Sequence, residues 1–274
     1  MQLLKTRWSD QVTDHPHQEY PRPQFRRNSY VNLNGWWECC FTDSAAFPGK
    51  YDTRILVPFS PESQLSGVNR ILKPGEYLWY RRHFTVSRNN DDRILLHFGA
   101  VDQTAEVFVN GQSVITNAGG YYPFDADITD CLREDNELIV RVQDYSDTNG
   151  MEFGKQKIRR GGIWYTPQSG IWQTVWLECV PNDYLRSVRM TPDLENQTIS
   201  FCFDRTNPSL PIAVDIAPAR LLPGVLRAHV IRVALAGRPA PVHHARVLVE
   251  IVPGLFDLFP AGHPVSVLIQ IVGF

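Results

Sequence analysis

The chain has 274 residues, 43% of them hydrophobic, with 29 acidic against 27 basic side chains. A chain of that size builds a full core without disulfide or metal staples. Its net charge of -2 excludes a general polycationic grip on nucleic acid or on an anionic membrane.

Residues 1–30 are polar and proline-bearing, with His15-Pro16-His17 and Pro21-Arg22-Pro23. They read as an extended arm that wraps a domain or leads into it. Lys5, Arg7, Asp10, Asp14 and Glu19 interrupt any apolar run there, so no secretory leader is expected. From Asn34 onward the pattern is that of strands. Trp36 to Phe41 is the first, and Arg54 to Val57 is the second, ended by Pro58. Leu78 to Val86 follows. In Arg93 to Phe98 the residues Ile94, Leu96 and Phe98 share one side. Ala105, Val107 and Val109 form the next inward set, and this period of two marks half-buried strands. Asn110-Gly111 suits a two-residue type I′ turn, because both residues tolerate positive φ. Thr104–Val109 should therefore pair with Gln112–Ile115.

Gly119-Gly120 opens a corner before Tyr122-Pro123-Phe124. One short helical turn is expected within Asp127–Leu132. Glu137 to Val142 alternates again, with Leu138, Val140 and Val142 inward. Thr174 to Cys179 places Val175, Leu177 and Cys179 on one face, which leaves Glu178 on the solvent face. Tyr184 to Thr191 and Gln197 to Phe203 read as two more strands, the start of a second domain. Many short strands punctuated by Gly and Pro mean an all-β sandwich or barrel.

The composition breaks near residue 205. Residues 206–274 hold five Arg, no Lys, three acids (Asp215, Glu250, Asp257) and nine of the twenty Pro. All seven Trp and all ten Tyr lie before them. Two readings stay open: an irregular tail translated from a shifted reading frame, or a proline-rich second sandwich with strands within 242–252 and 265–272. Pro253, Pro260 and Pro264 break the apolar runs of this segment well short of the ~18 residues that span a bilayer. The five cysteines, Cys39, Cys40, Cys131, Cys179 and Cys202, form neither a disulfide framework nor a CxxC pair. A reducing, cytoplasmic setting is expected, with no metal and no cofactor.

Several segments together resemble the N-terminal sugar-binding domain of family 2 glycoside hydrolases, the group of β-galactosidases and β-glucuronidases. They are Leu33-Asn34-Gly35-Trp36-Trp37, Val57-Pro58-Phe59-Ser60-Pro61-Glu62-Ser63, Trp79-Tyr80-Arg81-Arg82-His83-Phe84 and Phe98-Gly99-Ala100-Val101-Asp102. Ala105 to Gly111, Gly119 to Thr129, Asn136-Glu137-Leu138 and Ser169 to Glu178 complete the set. Their order over about residues 30–180 carries the resemblance. It implies a jelly-roll-like β-sandwich over 31–181, then an immunoglobulin-like sandwich beginning at 182–205, then a catalytic (β/α)8 barrel. A barrel takes roughly 250 residues, so the chain is expected to be a truncated relative. In the family one Glu is the acid/base and another the nucleophile, roughly 5 Å apart across the glycosidic bond. Both belong to the barrel, so no catalytic residue is assigned and the chain alone is expected to be inactive.

Sugar contact wants an aromatic plane beside polar groups. Residues 159–169, Arg-Arg-Gly-Gly-Ile-Trp-Tyr-Thr-Pro-Gln-Ser, supply both. Trp164, Tyr165, Gln168 and Arg160 are the contact candidates, against packing alone for Trp164 and Trp172. The resemblance brings this stretch toward the active-site cleft, where some β-galactosidases place an Asp. Trp164 or Tyr165 stands there instead, which speaks against a galactose-type contact. Asp125 and Asp127 read as turn ties, and His83 and His97 as surface or packing residues. The partners expected are a carbohydrate, a second copy of the chain or a barrel-containing chain, with neither nucleic acid nor membrane. A self-standing carbohydrate-binding module and an interaction sandwich are the rival readings.

Overall fold

Residues 7–22, 26–89, 92–193, 195, 198–209, 212–217, 231–235, 244–250 and 268–270 are described by a computed structural model. It divides into two units, one holding residues up to Pro21 and Arg27–Val180, the other Arg22–Arg26 and Pro181–Phe274.

The first unit holds twelve strands, and those expected from the alternation of the sequence are all among them. The twelve are β1 (Tyr30–Asn32), β2 (Gly35–Thr42), β3 (Thr53–Val57), β4 (Tyr77–Phe84), β5 (Arg93–Phe98) and β6 (Val101–Asp102). Then come β7 (Thr104–Val109), β8 (Gln112–Ala118), β9 (Phe124–Asp127), β10 (Asn136–Gln143), β11 (Gly170–Ile171) and β12 (Val175–Val180). A six-stranded sheet runs β3-β2-β4-β10-β7-β8, a four-stranded sheet runs β1-β12-β5-β9, and β11 pairs with β6. Every pairing in these sheets is antiparallel. The result is a sandwich, not a closed barrel. Asn110 (φ 52) and Gly111 (φ 83) both adopt the left-handed region that the expected hairpin turn demands. The short 3-10 turn falls at Thr129–Cys131.

The inward sets meet between the two sheets. Trp37, Ile55, Leu78 and Tyr80 come from one sheet, and Ile94, Leu96, Phe98 and Leu177 from the other. Trp79 lies on the opposite face of its sheet, in a second cluster with Cys40, Phe108 and Ile139. Phe47 covers this cluster, its ring centroid 4.9 Å from that of Phe108.

Alternation alone leaves one face of β5 and β12 in water. Instead both faces are buried, and the solvent assignment of Glu178 is corrected: its side chain is 0% exposed. The cause is the arm. Asn34 Nδ2 donates to the carbonyls of Pro16 and His17, and Asn32 Nδ2 to that of His17. Tyr20 then donates its hydroxyl proton to Glu178, and Arg27 Nε donates to the same carboxylate at 2.7 Å. Trp176 Nε1 adds a third donor at 3.0 Å, and His97 stacks on the Trp176 ring at 4.8 Å. His83 is exposed.

In the second unit β13 (Leu185–Asp193), β14 (Thr198–Arg205) and β17 (His244–Glu250) form one antiparallel sheet. A second sheet joins β15 (Ile212–Ala217), β16 (Ile231–Leu235) and β18 (Leu268–Gln270). β17 and β18 fall inside the two ranges expected after residue 206, whereas β15 and β16 lie where no strand was expected. A strand needs partners more than a clean local pattern, and β15 finds β16 on one edge and β18 on the other.

Candidate functional site

The chain between β10 and β11, residues 144–169, folds into a lobe held by its own hydrogen bonds. Asp147 Oδ1 accepts from Ile158 N at 3.1 Å. Tyr165 N donates to Lys155 O at 2.8 Å, and Lys157 N donates to Tyr165 O at 3.1 Å. Gly161 and Trp164 exchange backbone hydrogen bonds of 3.2 and 3.1 Å around the tip. Gly161 (φ 145) and Gly162 (φ 59) supply the positive φ that this tip requires.

Three of the four expected contact residues sit together on this lobe. Tyr165 is 66% exposed. Trp164 is half-buried, with Lys157 Nζ 4.1 Å from its ring centroid, a cation–π contact. Arg160 donates to Thr166 Oγ1 at 2.8 Å. The fourth, Gln168, lies at the base, its N–H donating to Gln156 Oε1 at 2.9 Å. The lobe is thus ordered and presents an aromatic plane, a guanidinium and amides to solvent. Trp172 instead braces a neighbouring corner. Its Nε1 donates to Gly120 O at 2.8 Å, and Tyr121 meets it edge-on at 6.0 Å.

Beneath the lobe lies a carboxyl cluster that sequence reasoning did not assemble. Ser169 N donates to Glu62 Oε2 at 3.1 Å, and Ser169 Oγ lies 3.0 Å from Glu62 Oε1 and 2.7 Å from Asp144 Oδ2. Leu72 N donates to Glu62 Oε1 at 3.2 Å, and Ser146 N to Asp144 Oδ1 at 2.6 Å. Burial raises the Glu62 and Asp144 carboxyls above the ordinary carboxylate range. Asp102, 4% exposed, is pushed up to about 8 by burial first and then by the charges of Asp144, Glu152 and Glu62. Its Oδ1 has no hydrogen-bond partner. Gly120 backs directly onto it: a Cβ there would sit 2.2 Å from Asp102 Oδ1. The only signal in the sequence for Asp144, Asp102 and Ser169 was their place at strand ends, with Gly170 directly after Ser169.

Glu62 and Asp144 face Ser169, and Asp102 lies near both. Glu62 and Asp144 are committed to Ser169 and do not form the open pair of carboxyls that retaining hydrolysis uses. Asp127 ties its turn through Thr129 N at 3.0 Å and pairs with Arg93, as a turn residue should. Among the described residues no group of three His, Cys, Asp or Glu side chains is arranged to hold a metal ion. No helix among them is long and apolar enough to cross a membrane.

The first unit is thus an antiparallel β-sandwich that carries an aromatic and polar lobe between β10 and β11. The comparisons with known proteins are specific. The model of the "Glycosyl hydrolases family 2, sugar binding domain" matches residues 7–181, and the chain belongs to that family.

A β-galactosidase of Thermoanaerobacter pseudethanolicus is 32% identical over 117 residues, covering 42% of this chain and 15% of that protein. A β-glucuronidase of Formosa agariphila is 29% identical over 103 residues, covering 36% of this chain and 10% of that protein. Among solved structures, a β-glucuronidase from an uncultured Clostridium matches with a TM-score of 0.57 and 23% identity, over 83% of this chain and 40% of that one. A Ruminococcus gnavus β-glucuronidase in complex with uronic deoxynojirimycin matches with a TM-score of 0.59 and 16% identity, again over 83% and 40%. These structural likenesses show the fold. The chain spans a minor part of each relative's length, and it corresponds to their sugar-binding domain. The (β/α)8 barrel implied for a whole family 2 enzyme has no counterpart among the described residues.

Proposed function

We propose that this chain is the non-catalytic, saccharide-recognising part of a β-glycosidase whose complete form hydrolyses β-glycosides with retention. The supporting observation is the family match over 7–181, together with a lobe that keeps Arg160, Trp164, Tyr165 and Gln168 on an ordered scaffold. In this reading Trp164 and Tyr165 stack on the apolar C–H face of a sugar, and Arg160 and Gln168 bond its hydroxyls. The catalytic carboxyls come from a barrel that is part of the complete protein or of a separate partner chain. Five free thiols support a reducing, cytoplasmic setting.

The test mixes the purified chain with a separately expressed family 2 barrel and follows release from aryl β-galactosides and β-glucuronides. The chain alone should give no turnover above background. The mixture should turn over, and Trp164→Ala together with Tyr165→Ala should weaken it through KM. Turnover by the chain alone would overturn the reading. Calorimetry separates the rival: saturable heat from the isolated chain at millimolar sugar, lost in Trp164→Ala, would make it a self-standing binding module.

A further inference from the structure

We propose that Asp144, Ser169 and Glu62 form a proton-holding clamp that positions the saccharide-contact lobe and releases it when the proton leaves. The protons around Ser169 can be counted. A serine hydroxyl carries one. Ser169 Oγ lies within hydrogen-bond distance of two carboxyl oxygens, Glu62 Oε1 at 3.0 Å and Asp144 Oδ2 at 2.7 Å. With both carboxyls ionised, one of those contacts is oxygen against oxygen with no proton between. The closed clamp therefore holds a second proton on one carboxyl, which donates it to Ser169 Oγ.

The environment says which carboxyl holds it. Glu62 accepts two backbone N–H groups, from Leu72 and Ser169, and such donors favour the ionised form. Asp144 is 3% exposed and accepts one, from Ser146. The chain of donation runs from protonated Asp144 Oδ2 to Ser169 Oγ, and from the Ser169 hydroxyl to ionised Glu62 Oε1. The other titratable groups facing this cluster are Asp102, Glu152, Tyr121 and Tyr80. Those charged at neutral pH are acidic, so they too favour keeping the proton.

The clamp sits where it controls the lobe. Asp144 is where the lobe begins and Ser169 is where it ends, with 24 residues between. Glu62 belongs to the segment after β3 and ties Ser169, and through it Asp144, to the sandwich. When base takes the proton from Asp144 into water, the 2.7 Å contact becomes repulsive and the lobe ends separate. These are positioning residues: they touch no sugar and act through Arg160, Trp164, Tyr165 and Gln168. The clamp rests on the saccharide reading only for what the lobe is for.

Limited trypsin digestion of the full chain tests it without any sugar, so its failure and the failure of the saccharide reading are distinguishable. Lys155, Lys157, Arg159 and Arg160 lie in the lobe, and cleavage there is read by mass spectrometry relative to cleavage at exposed Arg133. This ratio cancels the pH dependence of trypsin. As pH rises across the range in which the chain stays folded, the ratio should climb, by at most about tenfold per pH unit for one proton. Asp144→Asn puts an amide donor where the acid proton was, so its ratio should stay low and flat. Ser169→Ala should give a high ratio even at the acid end of that range. A flat ratio in the unmodified protein overturns the clamp, as does an Asp144→Asn variant that follows the unmodified protein. If Asp144→Asn does not fold, the unmodified protein and Ser169→Ala still decide: the same rise from the same low starting ratio in both would remove Ser169 from the device.

Discussion

Asp102→Asn isolates the energetic cost of the buried carboxyl cluster. Asp102 ordinarily ionises near 3.8 and is raised to about 8 in the fold. Between those values the unfolded chain has lost the proton and the folded chain keeps it. The folded state then binds more protons, so stability falls as pH rises. The full contribution is present below about pH 4 and is lost as pH climbs through 8. One pH unit corresponds to about 1.4 kcal/mol in this window, so going from about pH 5 to 7 removes on the order of 2–3 kcal/mol through this side chain. The amide of Asp102→Asn cannot ionise, so it removes the repulsion with the neighbouring acids Asp144, Glu152 and Glu62. Urea unfolding followed by tryptophan fluorescence at about pH 5, 6 and 7 reads the effect. Glu62 and Asp144 titrate upward in the same direction in both proteins, so the informative quantity is the difference between variant and parent. That difference should grow in favour of the variant by about 1 M urea in midpoint, for a slope near 2 kcal/mol/M. Parallel midpoints at all three pH values would refute the reasoning.

Glu178→Ala should cost about 3–5 kcal/mol, because it leaves the Arg27 guanidinium beside a buried void and removes a partner of Tyr20 and Trp176. Calorimetric melting checks this, and a loss below about 1 kcal/mol would mean that the arm contributes little. Gly170→Ala places a methyl 2.0 Å from Tyr80 Oη at a backbone φ of 76, a clash and a strained conformation that together cost about 3 kcal/mol or more. Adding Tyr80→Phe should recover part of that loss, since the next ring atom lies at 3.1 Å; no recovery would assign the whole cost to backbone strain. Asn110→Ala removes bonds to Cys131 O (2.7 Å), Asn136 Oδ1 (2.9 Å) and Glu137 N (3.0 Å) at a positive-φ position. Denaturant unfolding should show about 2–3 kcal/mol lost, and Asn110→Gly should restore only the backbone share.

The elements legible in the sequence were those whose pattern is local. Ile94, Leu96 and Phe98 alternate, and β5 occupies the expected residues 93–98. Asn110-Gly111 names its own turn. The aromatic and polar character of 159–169 is equally local, and the ordered lobe is built from it. What stayed hidden depended on residues far apart in the chain. Glu178 alternates correctly for a solvent position, yet Tyr20 and Arg27, over 150 residues away, close over it. Period-two reasoning assigns a side chain to a face, but whether water reaches that face depends on a segment with no strand pattern of its own.

The carboxyl cluster was hidden for a related reason. Glu62 follows β3, Asp102 ends β6, Asp144 follows β10 and Ser169 precedes β11, so no short window of sequence contains two of them. An isolated carboxylate in such a place would be expensive to bury. The fold keeps Glu62 and Asp144 by bonding both to Ser169 and by adding the backbone N–H groups of Leu72, Ser169 and Ser146, while Asp102 Oδ1 is left without a partner. A hydrophobic trio of similar volume would fill the space at lower cost and with no pH dependence. It would also lose the directional bonds that join both ends of the lobe to the sandwich. If precise placement of Trp164 and Tyr165 matters to saccharide recognition, an apolar replacement such as Glu62→Leu with Ser169→Ala and Asp144→Leu should keep or raise the melting temperature while freeing the lobe to trypsin. A replacement that leaves the lobe as protected as the parent would show that packing alone positions it.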